Sequence, residues 1–584
     1  MRGITRTVAV AGISAVALLA TACGGDNGDT TATEGSNETS AAPAEGAAGG
    51  EIVVKGCTPE NPLVAGNTSE TCGGNILDTI TAKLVHYNSE DASPENDIAE
   101  SIETEDNQTF TVKIKQGYLF QDGTEVKAKN FVDAWNYTAF GPNGQSGSYF
   151  MGPIEGYAEV SAEDSTVQEM SGLQVVDDYT FTIKTTEPVS NLPVRLGYTA
   201  FAPQPDAFFA DPEGFGKAPI AAGPYQVTEY NDGQSIVVEK FADYAGDFGG
   251  QVDKITFKIY QDTDAAYNDL LAGQIDILDA IPTSAQIDDK YKTDLGDRNA
   301  QRETGVIQFI GIDAVASPDL ADPAIRKAIS MAIDRETINE QIFNNSRVPA
   351  TGWVSPVVDG YKENQCGDAC VYDPEAAKAM LDEAGGYTGE LTLSYNGDGD
   401  HKAWTEATCN SIAEALEISC TATPVVDFAT YLTQLGNGEM TGMWRLGWQM
   451  DYPSIENFLA PLYAEGADSN YYGPYVNPEF EQLLADAAAA DSLDEANTLY
   501  QQAEAVIAED MVSIPMYYGK STIGWSEKLN PVGITAFGVP DYTSATVAQS
   551  PPAISVASSA IGLPGPPGRP IVMNRASPST PEYS

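Results

Sequence analysis

A mixed α/β protein of two or three lobes is what this sequence predicts, and three observations carry that prediction. The chain has 584 residues, more than one compact core accommodates. Apolar residues make up 42% of it, enough for large cores. Strand patterns dominate the first half of the folded sequence and capped amphipathic helices the second, with no clear internal repeat.

Folded sequence begins near Glu51-Ile52-Val53-Val54, a short strand. Thr109 to Ile114 and Thr180 to Lys184 alternate apolar with polar residues, and Ile255 to Tyr260 reads as a further strand. Asp322-Pro323 then supplies a helix cap and a proline at the first helical position. Ile325, Ala328, Ile329, Ala332 and Ile333 follow on one apolar face. Asp373-Pro374 repeats this start, and Gly385 stops that helix. Asn477-Pro478 does so again, ahead of Phe480, Leu483, Leu484 and Ala487. These helices are core-facing and carry no chemistry of their own.

The ends differ from the body. Arg2 and Arg6 precede an apolar run from Val8 to Ala20. That run is shorter than the roughly 20 residues of a membrane-spanning helix and reads as the core of a signal peptide, residues 1–22. It ends Leu19-Ala20-Thr21-Ala22-Cys23, which resembles the lipobox of bacterial lipoproteins, where the cysteine becomes the lipidated N-terminus. The common leucine three places before the cysteine is Ala20 here, and an ordinary secretory cleavage site is the alternative. Residues 23–50, rich in Gly, Ala, Thr and Ser, read as a flexible tether behind Cys23. Residues 548–584 crowd eight prolines, from Pro551 to Pro581, around one acid, Glu582, and read as a disordered tail. The chain is thus expected to be exported and held to the outer face of the cell membrane by a lipid.

Charge and cysteine content narrow the function. Lys and Arg number 30 against 84 Asp and Glu, a formal charge of −54. Such a surface repels phosphate backbones and argues against nucleic acid. It also leans weakly towards cationic ligands. Of seven cysteines, Cys23 is assigned to the anchor, leaving an even six in an oxidising compartment. Cys57 and Cys72, Cys366 and Cys370, and Cys409 and Cys420 lie close in sequence, so local pairing is the simplest connectivity. Metal binding is the rival, with only His86 and His401 to serve it and no CxxC.

Catalytic patterns are missing. The sequence has neither HExxH nor GxSxG. Gly519-Lys520-Ser521 ends like a phosphate-binding loop, but the earlier glycine position holds Ile514. Asn396, Asp398 and Asp400 alternate like a calcium loop, but its essential glycine position is His401, so a polar turn is expected. No cofactor is expected, and the chain reads as a binding protein rather than an enzyme, with a secreted hydrolase the distant alternative.

Five segments resemble the family 5 extracellular solute-binding proteins, the oligopeptide- and dipeptide-binding subunits of ABC importers. They are Lys115 to Thr124 continued by Asp133-Ala134-Trp135, the turn Ala222-Gly223-Pro224-Tyr225, Asp322 to Ile338, Gly447 to Pro453, and Ile514-Pro515-Met516-Tyr517-Tyr518. They span about residues 51–545 in the family's order. The resemblance implies the large two-lobed periplasmic-binding-protein-like α/β fold, with the ligand cleft between lobes. Lobe I is expected at 51–304, with an extra subdomain at about 88–197. Lobe II follows at 305–511, and 512–547 return to lobe I. The two crossings are expected near Gly305 and Met511.

The segment Met443-Trp444-Arg445-Leu446-Gly447-Trp448-Gln449-Met450-Asp451 sets one acid in an apolar, aromatic run. A carboxylate buried there requires a cationic partner or hydrogen-bond donors. One reading makes it structural, satisfied by Arg445. The resemblance implies another, in which Asp451 holds the α-ammonium of a peptide. By the same resemblance Arg445, six residues earlier, helps meet the peptide's carboxylate end, and Trp448, three earlier, lines a side-chain pocket. Trp444 and Tyr452 complete the candidate lining. The implied partners are short peptides, an ABC permease with its ATPase subunits, and the membrane through the anchor, with the chain acting as a monomer. An oligosaccharide, stacked on some of the 28 tyrosines, is the alternative cargo.

Overall fold

The computed structural model describes residues 49–548, apart from Glu60, Ser69, 398–400, Asp427, Asp468 and Pro474. The signal peptide, Cys23, most of the tether and nearly all of the proline-rich tail lie outside the described residues, as do Asp398 and Asp400.

An eleven-stranded sheet runs through the described residues. From one edge its strands are Ser419–Val425, Glu390–Asn396, Met443–Gln449, Asn299–Ile312, Ser513–Trp525, Ile277–Leu278, Glu51–Gly56, Lys254–Ile259, Ser235–Lys240 and Tyr225–Asn231. Val348–Pro349 pairs with Ser513–Trp525 beside this path. A separate four-stranded antiparallel sheet orders Ala99–Thr104, Thr109–Ile114, Thr180–Lys184 and Leu173–Asp177. Its alternation is visible in burial: Phe110, Val112, Ile114, Phe181 and Ile183 all point into a core.

Separate apolar cores define the lobes. One, built on Ile52, Val54, Ile255, Phe257 and Ile523, underlies the first-lobe half of the large sheet. A second fills the subdomain around the four-stranded sheet and Trp135. The largest, from Ile307 to Tyr518, fills the second lobe.

The two longest strands cross between lobes as an antiparallel pair. Asn299–Glu303 pairs with Gly524–Lys520 in the first lobe, and Ile307–Gly311 with Tyr518–Ser513 in the second. The register shifts between Glu303 and Ile307, around Gly305. A Cβ on Gly305 would stand 2.3 Å from Met450 Sδ, so a larger residue there would require the Met450 side chain to move. The return crossing, expected near Met511, falls later. Ile514, Met516, Tyr517 and Tyr518 still pack in the second-lobe core, and the strand leaves it about Gly519.

Helix starts follow their caps. Asp322 Oδ1 accepts from Ala324 N (2.9 Å) ahead of Pro323–Met331. Asp373 Oδ1 accepts from Ala376 N (2.9 Å) ahead of Pro374–Glu383, and Gly385 follows in the left-handed region at φ +101°. Asn477 Oδ1 accepts from Glu479 N (2.9 Å) ahead of Pro478–Ala488. The apolar stripe 325–333 is buried as expected, but the helix stops at Met331. Asp334 caps a new one, Arg335–Phe343, by accepting from Thr337 N at 3.0 Å.

The three cysteine pairs are bonded locally: Cys57–Cys72, Cys366–Cys370 and Cys409–Cys420, with Cα separations of 5.3, 5.6 and 5.0 Å. Among the described residues no helix is long and apolar enough to cross a membrane.

Candidate ligand-binding site

The strand Met443–Gln449 lies inside the large sheet, antiparallel to Asn299–Ile312 with Val306 opposite Gln449. Where it ends, Met450 and Asp451 leave the sheet at a cavity of about 610 Å³. The first lobe supplies the other walls, from Thr68 to Asp97, Gly197 to Thr199, Pro224 to Gln251 and Thr535 to Ser544, with Tyr149 beside them.

Asp451 is fixed by Asn457. Asn457 Nδ2 donates to Asp451 Oδ2 (3.2 Å), and Asp451 N donates to Asn457 Oδ1 (2.8 Å). Trp448 Nε1 donates to the same Oδ1 (3.2 Å). From the first lobe Tyr149 lines the same cavity. Burial pushes the Asp451 carboxyl above the usual range. The Asn457 bond opposes this, nearby Glu456 adds to it, and Tyr149 and Arg195 oppose it. Among the described residues no lysine or arginine pairs with Asp451.

The structural role with Arg445 as partner is not what the chain adopts. Arg445 is 8% exposed and donates through Nε (3.0 Å) and Nη2 (2.6 Å) to Asn396 Oδ1, inside the second lobe. Trp444 is wholly buried, its ring 5.3 Å from that of Tyr472. Both were expected in the cleft. Instead their strand sits mid-sheet with both faces covered, so every side chain from Met443 to Leu446 is buried. Trp448 is half-buried against the second-lobe core. Tyr452 is buried, donates to Glu456 Oε2 (2.7 Å), and lies under the Arg195 guanidinium at 4.9 Å. Of the five expected residues, Asp451 alone lines the cavity; Trp448 shares its support, Asn457.

Sequence reasoning missed the first-lobe wall. Asp78, from the helix Thr71–Ile80, accepts from Lys83 Nζ (3.0 Å) and Thr199 Oγ1 (2.9 Å), both at Oδ1. His86 stacks on Phe248 with ring centroids 3.9 Å apart, and burial lowers its pKa, favouring the neutral ring. Tyr149 and Tyr198 flank Phe150 at 4.2 and 4.1 Å. These residues sit on turns, short helices and the three-residue strand Val85–Tyr87, far apart in the chain, where no periodicity marks them.

The arrangement is suited to enclosing a ligand, with a concave volume, aromatic walls and fixed carboxylates. Among the described residues no group of three or more His, Cys, Asp or Glu could hold a metal.

Comparison with known proteins agrees in fold and family. The oligopeptide-binding protein OppA of Bacillus subtilis is 24% identical over 490 residues, 81% of this chain and 88% of that protein. Among solved structures, the MppA periplasmic murein tripeptide binding protein in its unliganded open form superposes with a TM-score of 0.75. It is 21% identical, covering 86% of this chain and 99% of that one. The Helicobacter pylori binding protein DppA, in complex with the peptide STSA, gives 0.66 at 19% identity, covering 86% and 99%. Both share the two-lobed fold. Residues 93–470, more than half of the chain, match the model of the bacterial extracellular solute-binding proteins, family 5 Middle. The chain therefore belongs to the family 5 extracellular solute-binding proteins, which bind and hand on solutes and are not enzymes.

Proposed function

We propose that this protein captures short peptides outside the cell and delivers them to an ABC permease, with Asp451 receiving the peptide's α-ammonium. One observation carries the reading. A carboxylate partly removed from water stands in a cavity between two lobes, held by the neutral side-chain donor of Asn457 with no cationic partner among the described residues. A cation from a ligand supplies what the fold leaves out. The names of relatives point the same way, towards oligopeptides and a murein tripeptide. Peptides share their termini and backbone, so a site that grips the ammonium and leaves room elsewhere accepts varied side chains, with water filling the unused space.

The cleft closes by hinging of lobe I, residues 51–304 and about 519–547 with its subdomain at about 88–197, against lobe II, with the glycine-containing register break at Gly305 as one hinge point. Cys23 carries the lipid that holds the mature protein at the outer face of the membrane, and the protein works as a monomer. Mass spectrometry of ligands that co-purify with the protein tests the cargo. Short peptides are expected; recurrent glycans and no peptides would replace this reading with an oligosaccharide carrier.

A further inference from the structure

The cavity wall has a charge balance that bears on which peptides enter. Its charged side chains are five carboxylates (Glu70, Asp78, Asp97, Asp451 and Asp541) and one lysine, Lys83. Lys83 is already committed to Asp78. The nearest arginines are committed elsewhere. Arg195 pairs with Glu456 at 3.2 Å. Arg302 donates to the carbonyls of Ser89, Glu90 and Ile534. Arg445, expected to meet the peptide's carboxylate end, donates to Asn396 within the second lobe.

Two further features point to a ligand on this wall. The hydroxyls of Tyr542, a residue 4% exposed, and of Thr535 are buried without a hydrogen-bond partner, and both residues line the cavity. A buried hydroxyl ordinarily finds a partner, and a bound molecule is the natural source. Asp78, meanwhile, takes both its donors at Oδ1, and its side chain is 53% exposed beside the cavity, so Oδ2 remains for a ligand.

We infer that the cavity selects its peptides by positive charge, with the first-lobe wall around Asp78 receiving a lysine- or arginine-type side chain in addition to the ammonium at Asp451. This rests on the peptide reading above. In a partly enclosed cavity such charges are screened less than at the surface. A basic side chain is attracted by the carboxylates, and its charge favours the ionised forms of Asp97 and Asp451 against the burial that pushes their carboxyls up. An acidic side chain meets no free cation on this wall among the described residues. The peptide's own carboxylate is repelled too, and it is best accommodated where the chain leaves the cavity.

The test is isothermal calorimetry with tetra-alanine and with tetrapeptides carrying lysine or glutamate at either inner position. Wild type is expected to bind the better lysine peptide at least about tenfold more tightly than either glutamate peptide, a preference that shrinks in high salt. Asp78→Asn should narrow the lysine-to-glutamate ratio, and Lys83→Gln should widen it. Each ratio is internal to one protein, so partial loss of folded material cancels. Tetra-alanine bound normally with the ratio within about twofold, or both substitutions moving it the same way, overturns the charge selection alone. Failure of every peptide to bind overturns the peptide reading and this inference with it.

Discussion

Glu504 offers a direct handle on the second-lobe core. It lies on the helix Leu493–Asp510, is 1% exposed, and its Oε1 accepts from Trp353 N at 2.8 Å. Gln365, the Val354 amide and, more weakly, Lys362 favour its charged form. Burial outweighs these and raises its carboxyl from 4.5 to about 7. The folded protein therefore holds this proton more tightly than the unfolded chain does. The group's contribution to stability is fully present below about pH 4.5, is lost as pH rises, and is flat above about pH 7. A shift of this size corresponds to roughly 3 kcal/mol in all, most of it falling between pH 5 and pH 8. Glu504→Gln keeps the acceptor for Trp353 N and removes the titration. Urea unfolding of both proteins across that range should show the variant gaining roughly 2 to 3 kcal/mol on wild type from the acid to the alkaline end. Other buried carboxyls, such as Asp97 and Asp451, cancel in the difference. A gap between the two proteins that stays constant across that range would refute the assignment.

Other consequences follow from the same contacts. Trp444→Ala removes a wholly buried ring from the second-lobe core and should cost about 3–5 kcal/mol in a melting or urea experiment. Peptide affinity of the folded fraction should stay within about threefold, and a large affinity loss at unchanged stability would put Trp444 back in the cleft. Arg195→Met strands Glu456, whose side chain is 12% exposed, and should cost about 3 kcal/mol. Adding Glu456→Gln should recover a good part of this, and no recovery in the double variant would mean that the pair is not the source. Cys23→Ser should move the protein from the membrane fraction into the medium, and a variant as membrane-bound as wild type would remove the lipid anchor.

Local signals in the sequence translated well into local structure. Thr109–Ile114 and Thr180–Lys184 formed as strands because one face is buried and the alternation records it. The Asp-Pro and Asn-Pro starts formed helices because each cap satisfies an otherwise unbonded backbone N–H. What failed was what depends on both faces of an element. Residues 443–446 are covered on both sides, so their sequence cannot say which side chains face a ligand, and Trp444 and Arg445 were misplaced for that reason. The break between Met331 and Arg335 was hidden because the apolar spacing runs straight through it, and only Asp334 marks the new start. Asp451 stood out as a lone acid in an aromatic run. Asp78, Tyr149, Tyr198 and Asp541 come together only through tertiary structure, so that wall left no trace in the sequence.

The central claim is that Asp451 receives a peptide's ammonium, and a thermodynamic cycle over protein and ligand tests it most directly. A charge-assisted hydrogen bond contributes about 1.5–3 kcal/mol net. Calorimetry with one peptide, free or N-acetylated, against wild type and Asp451→Asn measures the coupling. The substitution should weaken the free-amino peptide by roughly one to two decades. Acetylation should weaken binding to wild type comparably, and the variant should then lose little further. If wild type binds the acetylated and free peptides equally well, Asp451 is not the ammonium site and the account is contradicted.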